Sequence, residues 1–155
     1  MAEFTHLKGD RVQMVDISGK EEVVREAVAE GRIYLRRETL RAVRDGSLVK
    51  GNVLATARVA GILAVKETPR IIPLCHPIPL SRIEVDFGDG EGFILATVQV
   101  RSRGPTGVEM EALTGVSVAL LTIWDMVKSA EKDAAGQYPE TRIDGIRVLK
   151  KKKGE

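Results

Sequence analysis

The segment that most constrains the fold is a predicted long helix, residues 108–131, that is apolar on nearly every side. Its large apolar residues include Val116, Val118, Leu120, Leu121, Ile123 and Trp124. A helix without a polar face must be buried on most sides, either in the core or against another subunit. Its charge-free stretch, residues 112–124, is shorter than the roughly 20 residues that a bilayer-spanning helix needs. We therefore expect no membrane association and a core built around this helix.

The rest of the chain predicts a mixture of helices and antiparallel strands. Apolar Ile83, Val85 and Phe87 alternate with charged residues, and a glycine-rich turn separates this strand from a second one at residues 93–101, which predicts a hairpin. Further helices are predicted at residues 21–30, 38–44 and 52–66, and further strands at 14–17, 33–35 and 143–149. Such a mixture indicates an α+β domain with helices packed on one face of an antiparallel sheet.

The third predicted helix is rich in small residues. Asn52 can cap its start, and Pro69 is expected to end it. Its small residues are Ala55, Ala57, Ala60, Gly61 and Ala64. Because the distance between packed helices depends on the side chains at their contact, this helix is predicted to lie close to another backbone.

Composition limits the kinds of partner. The 155 residues suit a single domain. Aromatic residues make up only 4%, so the core must be built from Val, Ile, Leu and Ala. A net charge of +2 is too small to indicate a nucleic-acid partner. An RNA-binding sheet needs aromatic side chains, and the predicted hairpin offers only Phe87 and Phe93. We therefore expect no nucleic-acid binding.

Cysteine usage and the chain ends suggest a cytoplasmic protein. Cys75 is the only cysteine, so no disulfide and no multi-cysteine zinc site can form within one chain. A single thiol agrees with a reducing compartment. The first residues contain no basic segment followed by an apolar run, so no signal peptide is expected. The basic run 150–153 is predicted to be a solvated, flexible tail.

Several polar residues stand out because their surroundings are apolar or rigid. Arg58 is the only charge between Lys50 and Lys66. It could pair with a buried carboxylate or bind a ligand phosphate. Lys50 precedes a helix start, where free backbone N–H groups favour phosphate binding. His76 lies in a proline-rich segment that fixes its position, and it is either a hydrogen-bonded structural histidine or an acid/base group.

The long helix carries two further sets of charged residues. Glu109 and Glu111 open it, where the helix dipole favours carboxylates. If that turn is helical their side chains diverge by roughly 200°, and if it is extended they share a face. Asp125 and Lys128 are spaced to pair as i, i+3 neighbours. A lysine held near an aspartate in a dry site is a reasonable proton donor or acceptor.

The spacing of the carboxylates predicts a site shared between subunits. Glu111 and Asp125 are two heptads apart, so they share a helix face within roughly 40° but are separated by about 21 Å along the axis. One small reacting centre cannot touch both in one chain. They either serve opposite ends of a long ligand, or a second subunit supplies its own copy.

Taken together, these residues resemble a known family. The resemblance covers most of the chain and is most specific in two blocks, the proline-framed Leu-Cys-His-Pro at 74–77 and Thr-Gly-Val-Glu-Met-Glu-Ala-Leu at 106–113. It is also carried by the segments 4–7, 14–18, 50–51, 53–58 and 125–126. On these residues the chain resembles the cyclic pyranopterin monophosphate synthases, also called molybdenum cofactor biosynthesis protein C.

The resemblance implies a fold, a reaction and an assembly. It implies a ferredoxin-like subunit assembled as a homohexamer, a trimer of dimers with sites at the dimer interfaces. The implied substrate is 3′,8-cyclo-7,8-dihydroguanosine 5′-triphosphate, which such enzymes convert to cyclic pyranopterin monophosphate and diphosphate. No cofactor is required and no protein metal site is implied, although magnesium could accompany the triphosphate.

The resemblance also implies roles for individual residues. Asp125, Lys128 and Lys50 would be catalytic. The substrate-binding residues would be Leu74, Cys75, His76, Glu109, Met110, Glu111, Arg25 and Arg58. The chain departs from the family pattern at Asn52, where aspartate is common, at Gly115, where alanine is usual, and in its basic rather than glycine- and serine-rich end.

Overall fold

The computed structural model describes residues 2–48 and 52–154 and contains a four-stranded antiparallel sheet covered on one face by helices. In chain order its elements are β1 (Leu7–Lys8), β2 (Arg11–Val12), β3 (Val23–Tyr34), α1 (Arg37–Asp45), α2 (Val53–Ile71), β4 (Leu80–Gly90), β5 (Phe93–Gly104), α3 (Glu109–Glu131) and β6 (Arg142–Lys153). The sheet order is β4-β5-β3-β6. This order of strands, with crossover helices after β3 and after β5, is ferredoxin-like. The predicted α+β class is confirmed.

The core is aliphatic, as the composition predicts. Its fully buried large side chains include Ile33, Ile94, Leu120, Ile123, Val65, Val98, Val100, Val108, Val116 and Val127. They come from β3 and β5 on the sheet and from α2 and α3 above it. At about 25 cal/mol per Å² of buried apolar surface, this contact between one sheet face and two helices is the main stabilising term of the fold.

Strand β3 replaces the helix predicted at residues 21–30, and that prediction is wrong. Val23, Val24, Ala27 and Val28 have helical spacing, but β3 pairs along its whole length with β5 and also with β6. In this strand Ala27, Ala29 and Ile33 alternate into the core. The two ladders satisfy the backbone on both sides, and that tertiary pairing overrides the weak local pattern. The strand predicted at 33–35 is the end of β3.

The two long helices cross at glycine, which confirms the predicted close approach of α2. A Cβ added to Gly61 would lie 3.3 Å from the carbonyl oxygen of Gly115. A Cβ on Gly115 would lie 2.6 Å from Val65. Asn52 caps α2 as predicted, since its side chain accepts the N–H of Ala55 at 2.9 Å. The helix runs two residues beyond Pro69, because a proline in the last turn removes only one hydrogen bond.

The C-terminal segment also differs from its prediction. Residues 150–153 are not a flexible tail, because Lys150 to Lys153 pair with β3 as the last residues of β6. The strand predicted at 14–17 is absent from the described residues, where that segment is irregular. The two-residue strands β1 and β2 form the only regular structure described before β3.

A buried carboxylate joins the C-terminal end of α3 to the start of α1 and to the residue before β6. Glu131 is fully buried. Its carboxylate accepts the backbone N–H of Arg36 at 3.1 Å and the hydroxyls of Thr39 at 2.5 Å and Thr141 at 2.9 Å. These charge-assisted bonds serve the start of α1, whose own N-cap residue makes no side-chain hydrogen bond.

Helix α3 is long and apolar enough to cross a membrane by length and composition alone. In this fold, however, it packs against the sheet and α2, and its side chains Ala112, Val116, Ala119, Leu120 and Ile123 are fully buried. The core helix of a globular domain passes the same test for the same reason.

Candidate functional site

The first turn of α3 directs two carboxylates to opposite sides of the helix. Because residues two positions apart in a helix diverge by about 200°, Glu109 and Glu111 enter different surroundings. Glu111 points into a small cavity beside α2, and Glu109 points into a wider cleft beside β6. Of the two alternatives that the sequence left open, the structure therefore has the helical turn with diverging side chains.

Glu111 is buried with few polar neighbours. It is 2% exposed, and the thiol of Cys75 approaches its carboxylate oxygens at 3.9 Å, a long and weak hydrogen bond. Burial raises the pKa of Glu111 to about 7, with a smaller contribution from the charge of Glu109. Burial also raises the pKa of the Cys75 thiol to about 11, assisted by the charge of Glu111. Glu111 can therefore exchange a proton near neutral pH, whereas Cys75 stays protonated.

The cavity beside Glu111 also contains the predicted histidine. His76, Lys66 and Glu111 line it together with apolar residues of α2 and the proline-rich segment, and its volume is about 90 Å³. That segment begins with a tight turn, in which the N–H of Cys75 donates to the carbonyl of Ile72. The cavity is too small for a nucleotide, since ligand pockets usually have about 300–1,000 Å³.

Glu109 lies in a cleft of about 460 Å³ with strongly cationic walls. Arg25, Lys20, Lys151 and Lys153 line the cleft with Glu109 and Glu21. Lys151 donates to Glu109 at 2.6 Å. Burial would raise the pKa of Glu109, but Lys151 and Arg25 lower it, and the net pKa is below its ordinary value. The start of α3 also places the positive end of the helix dipole at this cleft. This cleft can bind an anion.

The structure separates the two arginines predicted to bind phosphate. Arg25 lines the cationic cleft, where its guanidinium donates to the carbonyls of Gly104 at 3.4 Å and Pro105 at 3.2 Å. Arg58 instead donates to the carbonyl of Val85 at 2.8 Å on the edge strand β4 and lies over the Phe87 ring. No carboxylate partner of Arg58 is seen among the described residues, and its binding of a ligand phosphate stays a prediction.

The predicted catalytic pair forms at the other end of α3. Lys128 donates to Asp125 at 2.8 Å, which confirms the i, i+3 contact, and this contact raises the pKa of Lys128. Their side chains are 44% and 65% exposed, so the pair does not lie in a dry site within one chain, contrary to that expectation. Neither the cavity beside Glu111 nor the cationic cleft is lined by Asp125 or Lys128. Glu111 and Asp125 thus stay about 21 Å apart along the helix axis.

The remaining predicted site residues have different placements. Met110 is 41% exposed between the two carboxylates, and Leu74 is half-buried in the turn that precedes Cys75. Lys50, predicted to be catalytic, lies outside the described residues.

Sequence reasoning gave no role to two residues that the structure places near the site. Lys20 lines the cationic cleft. Asp16 lies close enough to His76 for the histidine to lower its pKa slightly, although hydrogen bonds from Ser18 lower it more. Both residues precede β3 in an irregular segment, so no periodic pattern marks them. The signal that could have found Asp16 is its position within a block that carries the family resemblance.

No group of three or more histidine, cysteine, aspartate or glutamate side chains is suited to hold a metal ion within residues 2–48 and 52–154. The carboxylates of the site are instead matched with protein groups. Glu109 binds a lysine and Glu111 faces a thiol. The chemistry available to this arrangement is proton transfer and anion binding.

Comparison with known proteins agrees with this arrangement. A family model described as "MoaC family" matches residues 14–154. A protein of Methanoregula boonei named "Probable cyclic pyranopterin monophosphate synthase" is 72% identical over the whole length of both chains. Proteins with the same name from Methanosphaerula palustris and Thermococcus onnurineus are 67% and 59% identical over 99–100% of both chains.

Proposed function

This chain belongs to the MoaC family, and we propose that it converts 3′,8-cyclo-7,8-dihydroguanosine 5′-triphosphate to cyclic pyranopterin monophosphate and diphosphate. The reaction is a step of molybdenum cofactor biosynthesis, and the enzyme is a lyase. The observation that carries this assignment is the 72% identity over the full length of both chains. The geometry supports it, because a cationic cleft and a buried carboxylate with a pKa of about 7 lie on two sides of one helix turn.

The phosphate chemistry of this reaction matches the cationic cleft. A substrate hydroxyl oxygen attacks the α-phosphorus, its proton passes to a base, and the bond from that phosphorus to the bridging oxygen breaks. Diphosphate leaves with the electron pair of that bond. Positive charge on the departing oxygens stabilises this transition state, and Arg25 and Lys20 are positioned to supply it.

The ring chemistry needs several proton transfers. Opening the purine ring and forming new C–N bonds moves protons at each step, and groups with pKa values near neutral pH are the most effective at this. We propose that Glu111 and His76 act on the base portion of the substrate, since both line one cavity and Glu111 titrates near pH 7. Asp125, Lys128 and Lys50 are proposed as the other catalytic groups.

We propose that each active site is shared between subunits of a homohexamer built as a trimer of dimers. Three observations support sharing. The cavity beside Glu111 holds only about 90 Å³, and the Asp125–Lys128 pair is exposed in the single chain. Apolar Val59, Leu63 and Leu121 are also 55–57% exposed on the outer faces of α2 and α3, which suits burial against another chain.

Mixed oligomers test whether the site is shared. We would combine an inactive Glu111→Ala chain with an inactive Asp125→Ala chain and follow diphosphate release. If Glu111 of one subunit works with Asp125 of another, some mixed sites keep both residues and activity returns. A mixture no more active than its parents would contradict the shared site.

A direct assay tests the function itself. Purified protein is incubated with the cyclised dihydro-GTP, and diphosphate and the pterin product are measured. We expect both products from the wild type and at least a hundredfold loss for the Asp125→Ala, Lys128→Ala double variant. Undiminished activity of that double variant would eliminate the proposed mechanism.

The remaining proposals concern cofactors and location. We propose that no organic cofactor is needed and that magnesium enters with the triphosphate of the substrate. Titration with a chelator in the same assay tests the metal, and full activity without magnesium would exclude that part of the proposal. We also propose that the enzyme works in the cytoplasm, where a nucleotide-derived substrate is formed and a single thiol stays reduced.

A further inference from the structure

The segment that follows α3 folds back onto the helix and brings a tyrosine to its last turns. Residues 132–141 connect α3 to β6. Within this connection Tyr138 is half-buried, and its ring packs edge-on against Trp124 with 5.3 Å between the ring centroids, a favourable geometry for an aromatic pair. Trp124 is the residue before Asp125 in α3. The connection therefore places Tyr138 beside the part of the helix that carries the Asp125–Lys128 pair.

The connection is held in one conformation by its own hydrogen bonds. The carboxylate of Asp133 accepts the backbone N–H groups of Ala135 and Gln137, both at 2.9 Å. The N–H of Asp133 in turn donates to the carbonyl of Gln137 at 2.9 Å. Pro139 follows Tyr138 directly, and a proline restricts the backbone of the residue before it to extended conformations. The position of Tyr138 is therefore fixed before any ligand binds.

Helix geometry places Lys128 next to the same tryptophan. Residues four apart on a helix are neighbours on one face, so Lys128 lies one turn beyond Trp124. Tyr138 is close enough to add a small contribution to the raised pKa of Lys128, after the larger effect of Asp125. The side chain of Lys128 is 44% exposed, and one exposed ion pair restrains a long lysine side chain only weakly. A second oxygen beside its ammonium group restricts it further.

We propose that Tyr138 is a positioning residue, whose hydroxyl oxygen accepts a hydrogen bond from the Lys128 ammonium group and keeps that group beside Asp125. The inference rests on the proposed function for the catalytic role of Lys128 and extends it to a residue outside α3. An ammonium group has three N–H donors. Asp125 binds one of them, Tyr138 takes the second, and the third is left in a fixed direction for the substrate. Tyr138 itself need not touch the substrate.

The two tyrosines of the chain provide a matched pair of variants. Tyr34 and Tyr138 are both half-buried, and each packs against an aromatic ring with 5.3 Å between centroids. Tyr138→Phe and Tyr34→Phe therefore remove the same oxygen atom from similar ring contacts, one beside Lys128 and one on strand β3. Trp124 is the only tryptophan, so its fluorescence reports whether the ring at position 138 stays packed. Thermal unfolding of the full-length protein shows that each variant folds.

Steady-state kinetics with the cyclised dihydro-GTP are the first readout. Because small displacements of a catalytic group are costly, we expect Tyr138→Phe to lower kcat about tenfold and to leave KM within about twofold. Tyr34→Phe should change neither kcat nor KM by more than about twofold, since it lies far from the chemistry. Tyr138→Ala, which also removes the ring, should lower kcat at least as much as Tyr138→Phe. Full kcat in Tyr138→Phe, with a loss only in Tyr138→Ala, would show that the ring serves packing alone and would overturn the inference.

Chemical modification of Lys128 is the second readout and needs no turnover. Only a neutral amine is acetylated, so a lysine held as an ammonium ion reacts slowly. Measured by mass spectrometry, acetylation of Lys128 relative to the exposed Lys132 should be about threefold faster in Tyr138→Phe and unchanged in Tyr34→Phe. Faster acetylation of Lys128 without any pterin product would support the contact and contradict the proposed function. Unchanged acetylation of Lys128 in Tyr138→Phe would overturn the inference, whether or not the protein forms the pterin.

Discussion

Glu109 and Glu111 differ by two positions in one helix turn, yet their surroundings shift their pKa values in opposite directions. Glu109 faces a wide cleft where Lys151 and Arg25 keep it ionised. Glu111 faces a small cavity where burial raises its pKa to about 7. The comparison shows how a single fold prepares one carboxylate to hold a charge and the other to exchange a proton, since the environment and not the residue type sets each role.

The contrast also explains why the two sides of α3 suit different parts of one substrate. The Glu109 side offers volume and positive charge, which a phosphate chain requires. The Glu111 side offers a dry carboxyl group near His76, which proton transfer to a heterocycle requires. Met110 lies on the exposed surface between them. A ligand that spans this turn would place its charged and reacting ends in the matching surroundings.

The largest expected effect is on turnover. Replacing Glu111 by Gln removes the titrating proton but keeps the shape, so kcat for diphosphate release at pH 7 should fall by a factor of about 10²–10⁴. The matched variant Glu109→Gln should change kcat less than tenfold, because Glu109 remains ionised throughout. An equal loss of kcat in the two variants would contradict the different roles of the two carboxylates.

A smaller effect, about 100-fold, is expected on the reactivity of Cys75. Only the thiolate reacts, and a thiol with a pKa of about 11 is far less ionised at pH 8 than an ordinary cysteine with a pKa of 9.0. Alkylation of the folded protein, followed by mass spectrometry, should be about 100-fold slower than alkylation of the urea-unfolded protein. Glu111→Gln should speed the reaction, because it removes a neighbouring negative charge. A rate that matches the unfolded chain would show that Glu111 and Cys75 are not desolvated.

The difference in stability between the wild type and the Glu111→Gln variant should depend on pH. The pKa of Glu111 is raised from 4.5 to about 7 on folding, so the folded state binds more protons between these values. Its contribution to stability is therefore fully present below pH 4.5 and is lost as the pH rises through about 7. Urea unfolding should find the variant about 1–3 kcal/mol more stable than the wild type at pH 8, with little difference at pH 5. The same difference at both pH values would exclude a raised pKa.

The smallest expected effect is on the stability of the Glu109→Gln variant, and its sign is opposite to that expected for Glu111→Gln. The pKa of Glu109 is lower in the folded state than in the unfolded state. The ion pair with Lys151 therefore stabilises the fold at pH values above the unfolded-state pKa, and this stabilisation is lost as the pH falls through the folded-state pKa. Glu109→Gln should therefore destabilise the protein at pH 7 by about 0.5–1 kcal/mol, and 0.5 M salt should reduce this difference. Thermal unfolding at low and high salt measures it. A stabilising effect would show that crowded cations do not dominate this cleft.

The elements with strong local signals were predictable. The buried helix α3, the Asn52 cap of α2 and the hairpin of β4 and β5 follow from periodicity and turn residues that lie close together in the chain. The aliphatic core follows from composition. Strand β3 was not predictable in this way, because its Val-Ala spacing fits a helix and only pairing with β5 and β6 decides its conformation.

The candidate site was predictable in residue types but not in arrangement. The family resemblance named Glu109, Glu111, Cys75 and His76, and the structure brings the last three together around one cavity or its edge. Arg58 donates to the edge of β4, a contact that the sequence did not indicate. That outcome depends on how α2 lies across the sheet, which local pattern does not specify.

The amino-acid sequence by itself determined that the protein folds around an apolar helix, carries two carboxylates at the start of that helix and belongs with a family of synthases. Only the tertiary structure decided which carboxylate is buried, which becomes ionised, and that the C-terminal lysines alternate across a paired strand. The physical reason is the distance along the chain over which each interaction acts. Helical periodicity and capping act within a few residues, whereas desolvation and strand pairing join residues such as Arg25 and Gly104 that are 79 positions apart.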